Sequence, residues 1–299
     1  SLCVGAAYVG SFGRVLPFAR DVNYPVVTST ATSAGANILS RRPNPAFGAV
    51  LLLDSDQTSS YNGLQMTVAS RPWHHVNFHG FYTLSKTMTS AQLQNNTTQG
   101  LAQNYSNLSE EYGRADTDQR HVFNLSLNWE IEYYQGANAV VRNMLNGWSI
   151  SPIIKLRSGL PFTVTNTNVD ANLDGNTNDR AQLIGDPTIA DPSTAQWFNT
   201  AAFTQNKVVT GVATDGNSAR NLLDGPSYRS VDLAVSRDFR LQGRVTLAFR
   251  AEATNAFNMV SLGQPGSAAP AAGTTSATFG VIRTANAMRK VQVGLRLTF

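Results

Sequence analysis

The feature that most constrains the fold is a period-two alternation of apolar and polar residues. Residues 120–133 show it best. One face there carries His121, Phe123, Leu125, Leu127, Trp129, Ile131 and Tyr133. The other carries Val122, Asn124, Ser126, Asn128, Glu130 and Glu132. Because successive side chains of a strand point to opposite faces, this pattern predicts a strand that lies between two different environments.

The same alternation recurs along the chain, in windows 64–68, 76–85, 148–157, 231–236, 245–250 and 291–299. A soluble β-sandwich also alternates, so the period alone does not identify the solvent at the apolar face. The longest unbroken apolar run, residues 49–53, is far shorter than the ~20 residues of a membrane helix. If the chain spans a membrane, strands must do so.

The composition excludes several functional classes. Charged residues make up 14% of the chain, below the roughly 25% of soluble domains. The 23 basic and 19 acidic residues give a net charge of +4, and the basic residues are scattered, which argues against nucleic-acid binding. Cys3 is the single cysteine, which excludes an intrachain disulfide and a zinc site of paired thiolates.

The connections between the alternating windows differ in length. Short links near residues 71–72 and 240–242 alternate with long ones at 87–119 and 166–226 that are rich in Asn, Thr, Gly and Asp. This asymmetry is typical of an antiparallel outer-membrane β-barrel, in which the apolar face meets lipid. Aromatic residues near predicted strand ends fit the membrane interface. They are Trp73, Tyr82, Trp129, Tyr133, Trp148 and Phe162.

Eight membrane crossings are predicted when residues 47–50 and 279–282 are interpreted as outer extensions of long strands that a bulge or kink interrupts. The crossings are 2–11, 47–71, 73–86, 118–133, 147–165, 227–239, 243–257 and 279–299. An even number places the long loops on one side and the C-terminus with the short periplasmic turns.

Charge predicts the register of one hairpin. If residues 240–242 form its turn, Asp238 faces Arg244 and Asp232 faces Arg250. Opposite charges are favoured in directly facing pairs, so we expect this register.

A series of short motifs, joined by the alternating strands, covers most of the chain. They lie at residues 60–65, 83–86, 118–121, 147–150 with 158–162, 197–199, 216–220 with 225–229, and 250–253 with 255–258. With these motifs in this order, the chain resembles the C-terminal barrel portion of TonB-dependent outer-membrane receptors, particularly the Oar-like group. The resemblance implies a 22-stranded barrel with an N-terminal plug, driven by the TonB complex, that imports a large or scarce nutrient.

On this resemblance, residues 1–299 are the last third of such a barrel, and the plug domain and TonB box lie outside the chain. Ser1 in place of an initiator Met fits a fragment. The expected partners are outer-membrane lipid, the TonB complex through the missing N-terminal part, and an unidentified extracellular ligand. The resemblance also implies that the terminal strand, 291–299, offers its apolar series and Phe299 to the barrel-insertion machinery in the cell outer membrane.

Two regions are expected to face the plug and the ligand. Loops 87–119 and 166–226 would meet the ligand outside the cell. The lumen wall would carry charged side chains of the polar face, namely Lys155, Arg157, Arg250, Arg296, Asp232 and Glu252.

The segment 170–179 matches the first half of a calcium loop. It offers oxygen ligands at alternate positions and a glycine at the sharp turn, namely Asp170, Asn172, Asp174 and Gly175. Ala181 replaces the closing Glu, so a site needs ligands from elsewhere, such as Asp186 or Asp191. Asx-rich turns also form without metal, which is the favoured interpretation, and no other cofactor is predicted.

An enzymatic role has little support. Four residues of strand span about 13 Å, so His75 and His79 cannot share one metal, and we expect a turn residue and a lumen-facing residue. Glu110 and Glu111 are adjacent and should diverge, which argues against paired-carboxylate catalysis. The sequence contains no nucleophile elbow and no phosphate-binding glycine loop.

Three alternatives stay open beside the transporter. A structural or adhesive barrel would bind a surface partner without transport. A complete barrel of eight strands would have its narrow lumen filled by side chains. A barrel hydrolase would need a serine, a histidine and an acid that come together in the fold.

Overall fold

The computed structural model describes residues 1–70, 72, 74–90, 102–241 and 245–299. Its long strands are β1 (Leu2–Asp21), β2 (Leu51–Ser70), β3 (Val76–Thr89), β4 (His121–Ile131), β5 (Trp148–Arg157), β6 (Tyr228–Arg240), β7 (Thr246–Thr254) and β8 (Lys290–Thr298). Two short helices accompany them, α1 (Gly35–Ser40) and α2 (Ala139–Leu145). The fold is therefore all-β, as predicted.

Smaller elements lie in the connections. Two 3-10 turns occupy Leu108–Glu111 and Thr200–Ala202. The two-residue strands are Gly113–Arg114, Pro161–Phe162, Thr165–Asn166, Gln182–Leu183, Phe203–Thr204, Leu223–Asp224 and Ala268–Ala269. None of the helices in the described part of the chain has the length and apolar composition needed to cross a membrane.

The eight long strands form one antiparallel sheet in chain order. Each strand pairs with the strands before and after it, so the topology is a meander, and Gly113–Arg114 adds a short pairing to the end of β3. Strands β1 and β8 are its edges. In the part of the chain that the structure describes, each pairs with a single long strand, so the sheet is open.

The two faces of the sheet differ as the alternation predicts. Leu64 faces Tyr8 on one side and Leu84 on the other, and Val293 faces Ala251, so apolar side chains continue across the ladders. This face is uncovered: Leu295 is 68% exposed. The charged residues predicted for the lumen share the opposite face, because Arg250 pairs with Ser236 in the same ladder as Glu252 with Ala234.

The connections are long at one end of the sheet and shorter at the other. The long ones are residues 22–50, 90–120, 158–227 and 255–289, and the shorter ones are 71–75, 132–147 and 241–245. The C-terminus lies at the end with the shorter turns, which confirms the predicted parity. The described parts of the long connections, residues 22–50, 102–120, 158–227 and 255–289, pack together and are called the loop body below.

The eight predicted crossings correspond to the eight long strands, but several boundaries were wrong. Strand β1 runs to Asp21, ten residues beyond the predicted end, and the irregular pairing lies in β1 between Gly13 and Pro17. Strand β8 begins at Lys290, so residues 279–282 are not its extension. Phe279 lies in the core of the loop body, where its side chain is only 7% exposed. It packs against aromatic rings of that core and does not form part of the apolar face of the sheet.

The charge-based register of the β6–β7 hairpin was also wrong. Ser236, not Asp232, pairs with Arg250, and Asp238 pairs with Ala248; Arg244 lies outside the described residues. Asp232 instead meets Lys155 of β5, at 2.8 Å between Oδ2 and Nζ. The prediction considered only β7 as the neighbour of β6, whereas the opposite charge for Asp232 comes from β5, on the other side of β6.

Two aromatic clusters hold the loop body. The larger consists of Phe162, Val164, Ala181, Phe198, Ala202, Phe203, Ala269 and Phe279. Phe198 is its centre, with ring centroids 5.2 Å from Phe279 and 5.8 Å from Phe162. The smaller joins Phe18, Ala102 and Tyr105. Phe162 therefore lies in this core and not at the membrane interface, where it was predicted.

The end with the shorter turns carries aromatic residues on the apolar face. Trp148 lies edge-on to Phe239 and Phe249, and the Arg237 guanidinium lies 5.3 Å from the Trp148 ring centroid. Trp129 donates a hydrogen bond to the Tyr133 hydroxyl at 3.1 Å. Rings with a polar partner at the end of an apolar face are typical of a membrane interface. Trp73 lies outside the described residues.

Candidate functional site in the loop body

The acidic turn at residues 170–179 lies within the loop body, with residues 170–174 and Asp179 buried and Gly175 and Thr177 exposed. Asp170 accepts hydrogen bonds from the amides of Asp174 and Gly175, at 2.9 and 3.0 Å. The Asn172 side-chain oxygen accepts a weaker one from Asp174, at 3.2 Å. Gly175 has φ +95°, a backbone conformation that residues with a side chain rarely adopt. The structure therefore brings Asp170, Asn172 and Asp174 together around a sharp Asx-rich turn, as the sequence predicted.

A fourth side chain completes the turn, Asp179, which ends the predicted segment but was not among the proposed ligands. Asp179 accepts hydrogen bonds from the amides of Ala171 and Asn172, at 2.6 and 3.3 Å. The ligands suggested for closing the site do not join it. Asp186 instead binds Thr188, and both Asp186 and Asp191 are exposed. The alternating Asx spacing ended at Asn178, so no periodic signal marked Asp179.

Burial dominates the electrostatics of the turn. It raises the pKa of Asp179 to about 7 and that of Asp174 to about 6. It also raises the pKa of Asp170, against the lowering effect of amides that donate to its carboxylate. Neighbouring carboxylates raise the first two further, since like charges disfavour ionisation. The turn thus holds three carboxyl groups whose charged forms are disfavoured by burial.

Contacts from three other segments hold the turn in place. The Arg41 guanidinium, just after α1, donates to the Leu173 carbonyl at 2.6 Å. The side-chain amide of Asn172 donates to the Gln103 carbonyl at 2.5 Å, and the backbone amide of Thr214 donates to the Ala171 carbonyl at 2.9 Å. The turn therefore links loops that lie far apart in sequence.

The calcium assignment stays a prediction. Among residues 1–70, 72, 74–90, 102–241 and 245–299, no group of three His, Cys, Asp or Glu side chains is placed to hold a metal ion. Most turn oxygens accept backbone hydrogen bonds, as in a metal-free Asx turn. Two carboxylate oxygens differ. Asp174 Oδ2 and Asp179 Oδ1 are buried and have no hydrogen-bond partner among the described residues.

A second network lies beside the turn, around Arg180. This guanidinium, 5% exposed, donates to Glu111 Oε1 at 2.8 Å. Its other terminal nitrogen lies 3.6 Å from Glu110 Oε2. The two glutamates were expected to diverge, and this was wrong, because Arg180 attracts both carboxylates. Gln103 ties the network together by accepting hydrogen bonds from the Arg180 and Gly216 amides, at 2.7 and 3.2 Å.

A pocket of about 310 Å³ opens next to this network. Every residue that lines it is polar or charged, and they include Thr163, Thr165, Thr177, Asn178, Arg180 and Arg220. Arg220 is 6% exposed and donates through Nη2 to the carbonyls of Thr89 and Arg114. Its place in the sequence, within a polar loop, gave no signal that it would be buried.

The histidine pair lies where the sequence predicted. His75 is a turn residue with φ +64° between β2 and β3. His79 lies on β3, where it pairs with Ala69 and Ser126 on the polar face. The two side chains therefore occupy different elements of the sheet.

The polar face of the sheet carries the other candidate residues. Lys155 and Asp232 form an ion pair at 2.8 Å, and Ser230 and the Asn255 amide also donate to Asp232. Arg250 contacts Glu252 two residues along the same strand. Two pairs of opposite charges on this face are thus neutralised within the wall.

Comparisons with known proteins address the fold and not the ligand. The family model described as outer membrane beta barrel domain matches residues 1–292 of the 299-residue chain. No curated protein and no solved structure shows a significant match.

Proposed function

The chain belongs to the outer membrane β-barrel domain family, and we propose that it forms the C-terminal part of the barrel of a TonB-dependent receptor. The receptor would import a large or scarce nutrient through a plugged barrel. One observation carries the proposal: in the described part of the chain, the sheet is an open meander with an exposed apolar face, a charged opposite face and two edge strands that each pair with one long strand. Further strands would close it, and a plug would cover the charged face.

The family supports a location in the outer membrane, and the asymmetry of the connections supports an orientation. The loop body would lie outside the cell and the shorter turns in the periplasm. Lipid would cover the apolar face. The barrel-insertion machinery would contact β8 and Phe299, and TonB would contact the N-terminal part, both as the resemblance implies.

The loop body supports a binding role for the extracellular side. Its polar interior is fixed by bonds between distant loops, such as that between Arg180 and Glu111. A site of rigid, preorganised polar groups suits recognition of a polar ligand. We propose that this body, which includes the described parts of loops 87–119 and 166–226, makes the first contact with the nutrient.

Binding of TonB tests the transport proposal. The full-length protein, purified in detergent, is passed over the immobilised periplasmic domain of TonB, with a porin as the barrel control. We expect retention of the full-length protein and not of the porin. Ligand-dependent uptake by cells should then stop when a protonophore collapses the energy supply. Failure to bind TonB would overturn the transport proposal.

A structural or adhesive barrel is the alternative, and it makes the opposite prediction. Such a protein would bind its surface partner but would not be retained by immobilised TonB, and cells would take up no ligand through it. No enzymatic activity is proposed. Hydrolysis of ester or peptide substrates by the refolded full-length protein would instead favour a barrel hydrolase.

A further inference from the structure

The polar pocket beside Arg180 contains a second arginine, Arg220, which forms no ion pair with the residues that the structure describes. Arg220 Nε and Nη1 have no hydrogen-bond partner in the described ranges of the chain. Burial lowers the pKa of Arg220, which shows that its charged form is poorly solvated. A buried cation with unused donors is costly unless a ligand or counter-ion completes it.

The nearby carboxylates are engaged elsewhere. Glu111 binds Arg180, and Asp116 accepts a hydrogen bond from Asn221 at 2.7 Å. Both still act on Arg220 through space. They therefore offset part of its charge, which disfavours a dianion such as a phosphate and leaves room for a monoanion.

The remaining lining determines the rest of the ligand. The side chains that line the pocket are all polar or charged, and their methyl and methylene groups supply part of its surface beside the polar atoms. The pocket therefore suits a molecule that carries hydroxyl groups on several sides and apolar faces between them, as a sugar ring does. Its 310 Å³ lies at the lower end of the roughly 300–1,000 Å³ of small-molecule pockets.

We propose that this pocket binds a hydroxyl-rich monocarboxylate, of the chemical class of a sugar acid, with its carboxylate at Arg220. Guanidinium groups bind carboxylates through charge-assisted hydrogen bonds, and the flanking hydroxyls contact the ring of the sugar. The inference rests on the proposed function, because it assigns a ligand subsite to the loop body of a receptor.

Calorimetry on the full-length protein in detergent tests the assignment. The probes are D-glucuronate and D-galacturonate, with D-glucose as the neutral control and glucose 6-phosphate as the dianion. We expect at least one sugar acid to bind, and glucose and the phosphate to bind at least tenfold more weakly. Equal binding of glucose, tighter binding of the phosphate or no binding of either acid would overturn the proposal.

Two variants locate the site. Arg220→Met should weaken binding of the sugar acid at least tenfold, whereas Arg283→Met, an exposed arginine of the same loop body, should leave it unchanged. If Arg220→Met does not fold, Thr177→Val decides, since Thr177 is exposed at the pocket. It should weaken binding about threefold. Unchanged affinity in the deciding variant would contradict the site.

The TonB experiment separates this inference from the proposed function. If the protein binds TonB but no sugar acid, the proposed ligand is wrong and the proposed transport function stands. A protein that binds the sugar acid at Arg220 but not TonB would keep the subsite and contradict transport.

Discussion

The sheet and the loop body use apolar residues in opposite ways. In the sheet, large apolar side chains such as Leu295 and Val4 lie exposed on one face, at 68% and 70%. In the loop body, Phe198 and Leu173 are almost completely buried, and so are ionisable groups such as Asp179. The difference follows from the solvent. Lipid would satisfy the apolar face of the sheet, whereas a body in water must bury its own apolar residues.

The polar groups show the same contrast. The sheet satisfies its backbone through regular ladders, as all membrane-spanning strands must. The loop body has few ladders and relies on side chains that bind backbone groups of distant loops, as Asn172 does with Gln103. Its shape therefore depends on particular side chains, whereas the shape of the sheet depends on a repeating pattern.

The largest expected effect comes from the core of the loop body. Phe198→Ala removes a ring that contacts Phe162, Phe203 and Phe279, and should destabilise the loop body by roughly 3–5 kcal/mol. Hydrogen exchange on the inserted protein should show lost protection in residues 158–227 and retained protection in the strands. Phe257→Ala, at an exposed site of the loop body, is the control. Equal loss in the strands would mean that the two regions are one cooperative unit.

The next effect concerns the lipid face of the sheet. Leu295→Arg places a charge there, which costs about 2–4 kcal/mol near the bilayer midplane. Gln292→Arg, on the polar face of the same strand and paired with Glu252, should cost little. Urea titration of the protein folded into lipid vesicles measures both. Similar costs for the two variants would contradict the assignment of the faces.

Addition of calcium tests whether the acidic turn at residues 170–179 binds a metal ion. A cation between Asp174 Oδ2 and Asp179 Oδ1, which lack partners among the described residues, would offset their buried negative charge. Because the turn forms its hydrogen bonds without a metal, we expect calcium to leave the hydrogen-exchange protection of residues 166–191 unchanged. A rise in protection of about tenfold, or ~1.4 kcal/mol, that Asp174→Asn abolishes and the exposed Asp186→Asn does not would contradict this expectation and show a calcium site.

The smallest loss of stability is expected in the wall of the sheet. Lys155→Met breaks the pair with Asp232, but both side chains are partly exposed, so the cost should be at most about 1 kcal/mol. The same substitution at Arg296, which forms no ion pair among the described residues, should be near neutral. A cost of several kcal/mol in the vesicle titration would show that this pair is desolvated.

The alternation alone allowed the sheet to be predicted. Strands β4 and β5 lie within the predicted crossings because each residue's face follows from its own position in the strand. Loop residues have no such period. Phe279 was assigned to a strand because a short apolar run reads alike in a strand and in a core, and only its neighbours distinguish the two.

The candidate site was predictable only in part. The Asx spacing identified Asp170, Asn172 and Asp174, since a turn is local. Asp179, Arg180 and Arg220 were missed, because their burial results from loops that meet through contacts of long sequence separation, as between Arg220 and Thr89. The predicted register of β6 on β7 was wrong for the same reason, because Asp232 could form its ion pair with either of the two strands beside it, β5 or β7.

By itself, the sequence determined that the chain forms antiparallel strands with one apolar and one polar face, and that long loops alternate with shorter turns. Both follow from local rules: the period of a strand and the polarity of its connections. Tertiary structure alone decided that the long loops form a body with an aromatic core and a polar pocket. No local rule places Phe198 against Phe279 or Arg220 beside Arg180, because those contacts exist only after distant loops have packed.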